Sequence, residues 1–320
     1  MLQNLLFVKI SSTFLMKNGE KQKIEMTNIC AEIGINYAYG ETKEAFLQNA
    51  FKLIDVASIS GCDYVKFQKR DPNICVPASE RNREKIVPWN KKAITYLEYK
   101  LDIELTQENY DEIDEYCRRK QIGWFASVWD KNSVDFMRRY VTKLPGGKWG
   151  TMMKIPSALI TDLSLVEYAK DSSDFLLIST GMSTQTEIDA AIQIGLPDVV
   201  FHTNSTYPSP IHELNLDYIV YLLHSSKGHD FEKAFEVGYS GHEFGLSTTI
   251  AATLLGATWI ERHITLDRSL WGSDQLASVE PQGLIKLAKS IRDIALARGG
   301  YGPREVLTSE LEKRKSLRGK

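Results

Sequence analysis

A chain of 320 residues with 43% hydrophobic and 25% charged side chains can bury one large core or two small ones, and has an ordinary globular composition. A net charge of −2 supplies no global attraction to nucleic acid or to an anionic membrane surface, and no apolar run approaches a membrane span. The four cysteines, Cys30, Cys62, Cys75 and Cys117, form no CxxC pair, and MLQNLLFVKI lacks the basic region and cleavage site of a leader, so a cytoplasmic protein with reduced thiols is expected.

Residues 1–27 read as an extension able to form a hairpin. Residues 28–33 (NICAEI) read as a strand, and 42–59 as an amphipathic helix with Phe46, Ala50, Leu53, Ile54 and Ala57 on one face. A turn at 61–63 leads into strand 64–68 (YVKFQ). Residues 69–105 contain Pro72, Pro77 and Pro88 and read as one long irregular segment, of the kind that is usually functional or mobile. Helix 106–120, strand 123–128 and helix 131–140 follow, and a Gly/Pro/Lys loop at 145–150 precedes strand 152–155. Helix 163–170, strand 175–179, helix 184–194, strand 199–202 and helix 216–226 continue the alternation. It closes with strand 235–239, helix 246–255, a strand opening at Trp259-Ile260, and helix 283–297. Residues 301–320 form a charged tail expected to pack little.

Eight βα units predict a parallel sheet closed on itself: a single-domain α/β protein, the (β/α)8 TIM barrel, over residues 28–300. No GxGxxG follows the first strand, which argues against a dinucleotide-binding sheet.

A barrel of this kind carries its chemistry at the carboxyl ends of its strands. Those ends hold Glu32 and Asn36, Lys66 and Gln68, Ser127, Lys154 and Ser157, then Ser179 and Thr180. They continue with His202, Ser205 and Tyr207, then Ser240 and His242, and finally His263 with Asp274 in the loop beyond. Adjacent parallel strands would hold His242 and His263 side by side, where imidazole suits Mn, Fe, Co or Zn; two packed structural histidines would read the same way. Lys66 and Lys154 among short hydroxyl side chains suit an oxyanion such as phosphate or carboxylate, unless they cap strands and reach for water. Glu32, in an otherwise apolar segment, needs a partner or a chemical task. His212, His224 and His229 read as solvated, and His202 as a packed supporting group. Trp271 either shapes a pocket beside Asp274 or packs in the core. Trp89, Trp124, Trp129 and Trp149 lack the interleaved basic residues of a base-stacking surface.

The segments AEIGIN (31–36), VKFQ (65–68), KIPS (154–157), STGMS (179–183), HTNSTYPSP (202–210), GYSGHE (238–243), ERHITLD (261–267) and GSDQLASVEP (272–281) together resemble the sialic acid synthase family, in family order. The resemblance implies a transferase that condenses phosphoenolpyruvate with a sugar aldehyde, N-acetylmannosamine or a related aldose, giving a 2-keto-3-deoxy sugar acid and phosphate. It implies a divalent metal, usually manganese (Mn2+), on His242 and His263. Phosphoenolpyruvate would be held by Lys66 and Lys154 with Ser127, Ser157, Ser179, Ser205 and Ser240. Glu32 would be the catalytic acid beside it, and Gln68, Tyr207 and Asp274 would contact the sugar. A homodimer is implied, with no nucleic-acid or membrane partner.

Three departures from the family pattern stand out. Leu159 occupies the position of an acid, Ser205 replaces a frequent asparagine, and the residues after Arg298 are too few for the small antifreeze-like domain that bacterial members carry. The expectation is an acceptor whose N-acetyl group is absent or read differently. The alternatives are another phosphoenolpyruvate-aldose synthase of 3-deoxy-ulosonic acids, or a catalytically altered metal- or sugar-binding barrel.

Overall fold

The computed structural model describes residues 13–17, 20–24, 26–228, 231–298 and 303–319; His229 lies outside them. Eight strands close into a ring: β1 (Asn28–Gly34), β2 (Tyr64–Lys69), β3 (Gly123–Val128), β4 (Met152–Ile155), β5 (Phe175–Ser179), β6 (Val199–Thr203), β7 (Glu236–Gly241) and β8 (Trp259–His263). Every neighbouring pair is parallel, and β8 returns to pair with β1. The outer layer is α1 (Ala45–Ser60), α2 (Gln107–Lys120), α3 (Lys131–Met137), α4 (Leu163–Ser172), α5 (Gln185–Gly195), α6 (Tyr218–Lys227), α7 (Ser247–Leu254) and α8 (Pro281–Ala297). This is the expected TIM barrel. Ahead of it, Thr13–Lys17 pairs antiparallel with Glu20–Ile24, the expected hairpin.

Local chemistry sets the element ends. Helix α1 stops at Gly61, whose left-handed φ of 86° lets its N–H reach back to the Ala57 and Ser58 carbonyls. Helix α5 starts from a capping box between Thr184 and Glu187.

The period-two alternation of the strands divides the apolar residues into two compartments. Side chains pointing outward, such as Ile29, Ala31, Val65, Ala126, Ile155 and Val237, join the helices in the main core. Those pointing inward from the amino-terminal half of the strands form a separate cluster of Cys30, Tyr64, Phe125, Met152, Leu177, Val199, Phe201 and Trp259. Trp259 stacks on Tyr64 with ring centroids 5.3 Å apart and has no exposed surface. Truncating it to alanine would cost about 3–5 kcal/mol. This layer is a floor, and beyond it the inward strand positions carry polar side chains, Glu32, Lys66, Ser127, Lys154, Ser179, Thr203, Ser240 and Glu261 among them.

One segment departs from expectation. Residues 69–105 contain a helical turn (Pro72–Cys75), a strand pair (Glu84–Lys85 with Ile94–Thr95) and a helix, Tyr96–Ile103. The helix opens with a capping box between Thr95 and Glu98 and buries Tyr99, Lys100 and Ile103. The proline-rich stretch before it masked an eight-residue pattern too short to stand out. In the tail, helix Leu311–Arg318 buries no side chain.

Candidate active site

Register decides which inward residues meet. Glu32 on β1 sits opposite Lys66 on β2 and, across the closing seam, opposite His263 on β8. Lys154 pairs with Ser127, and Ser240 with Glu261. The side chains converge on a cleft of about 210 Å³ at the carboxyl end of the ring. It is lined by Glu32, Lys66, Gln68, Ser127, Lys154, Ser157, Ser179, Ser205, Tyr207, Ser240, His242 and His263 from the sequence-predicted set. Asp274 does not line it; its carboxylate stands 3.8 Å from His263 Nδ1, at the rim.

At the base of the cleft two ammonium groups alternate with two carboxylates. Lys66 Nζ lies 2.8 Å from Glu32 Oε2 and donates to Ser127 Oγ at 2.9 Å. Lys154 Nζ lies 2.8 Å from Glu261 Oε2, and Glu261 Oε1 is 3.6 Å from Lys66 and accepts from Ser240 Oγ at 3.1 Å. All four charged groups are at least 96% buried. The lysines therefore do not reach for water as strand caps. Glu261 is the residue that sequence reasoning overlooked, although the signal was present. In WIERH, Trp259, Glu261 and His263 fall on one face and Ile260 and Arg262 on the other.

The two carboxylates are tuned apart. Burial pushes Glu32 up, against the pull of Lys66 and His263. Burial also disfavours the Glu261 anion, but Lys154 and Lys66 outweigh it and bring its pKa down to about 2. The lysines split in the same way. Burial opposes Lys66, yet Glu261 and Glu32 raise it above an ordinary lysine, whereas burial wins at Lys154 and lowers it.

Nearer the mouth, the rings of His242 and His263 have centroids 5.3 Å apart. His242 Nδ1 donates to the Asn204 carbonyl at 2.7 Å, because a carbonyl only accepts, and this leaves Nε2 with its lone pair. Burial, reinforced by His263, lowers the His242 pKa to about 3, so the ring is neutral, the form that ligates metal. His263 Nδ1 is buried without a hydrogen-bond partner. Two adjacent imidazoles, one oriented by a carbonyl and one with an orphaned nitrogen, fit a divalent metal that completes its shell with water or substrate oxygen. Among the described residues no group of three or more His, Cys, Asp or Glu side chains forms a closed all-protein metal cage.

Behind the histidines a buried ion pair ties the two strand ends together. Arg262 Nη1 lies 3.3 Å from Glu243 Oε1 and donates to the Gly245 carbonyl at 3.0 Å, while Nη2 donates to the Glu243 carbonyl at 2.6 Å. Glu243 also accepts from Tyr239, Thr248 and Thr249. Tyr207 packs against both histidines, its ring centroid 4.1 Å from that of His242 and 5.6 Å from that of His263.

The fifth and sixth strand ends approach closely at Gly181, where a β-carbon would stand 2.1 Å from Ser205 Oγ and 2.8 Å from Ser157 Oγ. Gly181 N–H donates to Ser157 Oγ at 3.1 Å, so the site's hydroxyls are held against backbone. Leu159 turns away from the cleft and packs against the outer core. Trp129 and Met182 line the mouth and were not anticipated. Trp271 packs edge-on against Trp89 and Tyr99, at 5.1 and 5.6 Å. His202 faces outward between Tyr218 and Tyr239, bonded to the Leu214 carbonyl at 2.7 Å, and His212 and His224 are exposed.

Comparison with known proteins agrees with this geometry. Residues 53–302 match the NeuB family. The chain is 31% identical over 287 residues to the N,N'-diacetyllegionaminic acid synthase of Campylobacter jejuni, covering 86% of this chain and 78% of that protein. It is 32% identical over 291 residues to the N-acetylneuraminate-9-phosphate synthase of Drosophila melanogaster, covering 89% and 72%. The crystal structure of N-acetylneuraminic acid (sialic acid) synthetase from Leptospira borgpetersenii, in complex with citrate, aligns with a TM-score of 0.72 and 26% identity over 97% of this chain and 99% of that one. With the motifs, the barrel and these relatives in agreement, the chain belongs to the NeuB family.

Proposed function

We propose that this chain is a phosphoenolpyruvate-dependent transferase that joins phosphoenolpyruvate to a sugar aldehyde, giving a 2-keto-3-deoxy sugar acid and inorganic phosphate. The observation that carries the reading is the buried Glu32–Lys66–Glu261–Lys154 quartet lying below two adjacent histidines in one cleft. A small polyanion needs the lysines and hydroxyls, and an aldehyde needs a polarising centre beside them. The named synthases among its relatives support the reaction class.

Phosphoenolpyruvate sits on Lys66 and Lys154, with Ser127, Ser157, Ser179, Ser205 and Ser240 as donors. Its arrival adds negative charge beside Lys154, which burial holds below an ordinary lysine even with Glu261 at 2.8 Å. Carbon 3 attacks the aldehyde carbon and the aldehyde oxygen takes a proton. Water then adds at carbon 2, and phosphate departs with its bridging oxygen to leave the ketone. Glu32 is the group suited to hold and move a proton at carbon 2, because burial raises it, whereas Glu261 stays anionic and positions both lysines. A divalent metal on His242 and His263, manganese in this reading, would supply Lewis-acid polarisation of the aldehyde oxygen. Gln68 and Tyr207 hold the sugar, with Asp274 at the rim.

The test is phosphate release from phosphoenolpyruvate and manganese with a panel of aldoses, followed by mass measurement of the product. A new acid heavier than the aldose by the pyruvate unit is expected. Binding of phosphoenolpyruvate and metal with no aldehyde consumed would refute the reading and leave a sugar-binding barrel.

A further inference from the structure

The matched register between β7 and β8 ends at Gly241 and Arg262, one residue before each of the two histidines. Past that point the two chains lean on different neighbours. The His242 carbonyl accepts from Ser209 N–H at 3.1 Å, and its ring is bonded to the Asn204 carbonyl, so His242 rests on the loop after β6. His263 instead pairs with Glu32 of β1, and its carbonyl accepts from Val279 N–H at 2.7 Å. A metal shared by the two rings needs their separation fixed, and these supports come from opposite sides.

A side chain spans the gap. Arg262, immediately before His263, is 2% exposed and reaches across to the chain that follows His242. Its Nη2 donates to the Glu243 carbonyl at 2.6 Å, and its Nη1 donates to the Gly245 carbonyl at 3.0 Å and to Thr249 Oγ1 at 2.6 Å. Glu243, fully buried, holds the guanidinium in place from below, with Oε1 3.3 Å from Nη1. That carboxylate is itself fixed by Tyr239 at 3.0 Å, Thr248 at 2.7 Å and Thr249 at 2.8 Å. It folds back against the strand end, where a β-carbon on Gly241 would stand 2.5 Å from Glu243 Oε2. A buried ion pair adds little net stability over an apolar pair of the same volume. What a planar guanidinium adds is direction, because its donors leave one rigid fork. Neither Arg262 nor Glu243 lines the cleft, so any part they take is played through the histidines.

We infer that Arg262, locked by Glu243, is a positioning residue for the histidine pair: by tying the residue before His263 to the main chain after His242, it sets how tightly the two rings take a divalent metal. The inference rests on the metal role given to these histidines in the proposed reaction, and identifies the group that acts through them.

The test measures manganese binding by electron paramagnetic resonance of the free ion, with urea unfolding of the same preparations. The proteins are wild type, Arg262→Met, the double variant Arg262→Met with Glu243→Gln, and Leu287→Ala; His242→Ala marks the signal that belongs to the pair. Arg262→Met should weaken manganese binding roughly 10- to 100-fold, the range for groups that orient metal ligands. It should also lower stability, because the Glu243 anion is left buried alone. The double variant removes that charge and should regain much of the stability, while its manganese affinity stays at least roughly tenfold below wild type. Leu287→Ala empties part of the outer core on α8 and should lower stability with manganese affinity unchanged. Affinity unmoved in Arg262→Met, restored together with stability in the double variant, or lost equally in Leu287→Ala, overturns the inference and leaves the histidines as metal ligands. Wild type that binds no manganese overturns the metal role and this inference with it, so the two failures are told apart.

Discussion

Replacing Glu261 by glutamine tests whether one carboxylate holds the base of the cleft together. The change keeps volume and an oxygen for the Ser240 hydroxyl, but removes the charge 2.8 Å from Lys154 and 3.6 Å from Lys66. Lys66 keeps Glu32 at 2.8 Å; Lys154, 98% buried, keeps only the Phe201 ring at 4.1 Å. Removing one member of a buried pair costs about 3–5 kcal/mol, and the retained shape places this variant near the lower end, about 3 kcal/mol. At about 2–4 °C per kcal/mol, Tm should fall by roughly 6–12 °C. The sign with pH follows from linkage. Glu261 has a folded-state pKa depressed to about 2, so its contribution is fully present above the ordinary glutamate range. It is lost as pH falls from about 4.5 toward 2, and the gap between wild type and variant should close over that interval. Urea unfolding at pH 7 and below pH 4, with thermal melts at pH 7, measures both. Combining Lys154→Met with Glu261→Gln should restore most of the loss, since neither charge is then left alone. A single-variant loss under about 1 kcal/mol, or additive losses in the double variant, would refute the argument.

Lys100→Met should stabilise the protein by a few kcal/mol below about pH 7. Burial lowers the Lys100 pKa to about 7, so the charge penalty is complete below that pH and fades as pH rises toward the ordinary lysine value; denaturation across pH 6–10 should show the advantage shrinking. Arg262→Lys removes donors to two backbone carbonyls and to Glu243, and should cost about 2–4 kcal/mol in chemical unfolding. His242→Ala and His263→Ala should each weaken manganese binding by more than roughly 100-fold, measured by electron paramagnetic resonance of free manganese. Leu159→Glu should lower Tm by several degrees without raising phosphate release, because the side chain at this position packs into the outer core.

Much of this protein was readable in its sequence, for physical reasons. Inner strands carry short β-branched runs and outer helices carry one-sided apolar faces, so the eight-fold alternation survives in a single chain. Fold class then converts strand ends into neighbours, which is how His242 and His263 could be paired before any coordinates. Glu261 sits two places before a histidine that dominates the local pattern, yet its inward direction follows from the same alternation. The Tyr96–Ile103 helix was hidden by preceding prolines and by a length near the minimum for a periodic signal. Asp274 came close to His263 but not into the cleft wall, because its loop turns at the rim.

The aromatic floor formed by Tyr64, Phe125 and Trp259 closes the amino-terminal end of the ring beneath the cleft among the described residues. Lys66 and Lys154 lie on that floor while His242, His263 and Tyr207 line the cleft nearer its mouth, so in the proposed reaction phosphoenolpyruvate lies deeper than the aldehyde. In the proposed reaction this enforces sequence: phosphoenolpyruvate enters before the aldehyde, and phosphate is trapped behind the sugar acid until that product departs. Steady-state kinetics would register this as an intersecting-line pattern with inhibition by excess aldose, where an open-ended channel would permit random entry.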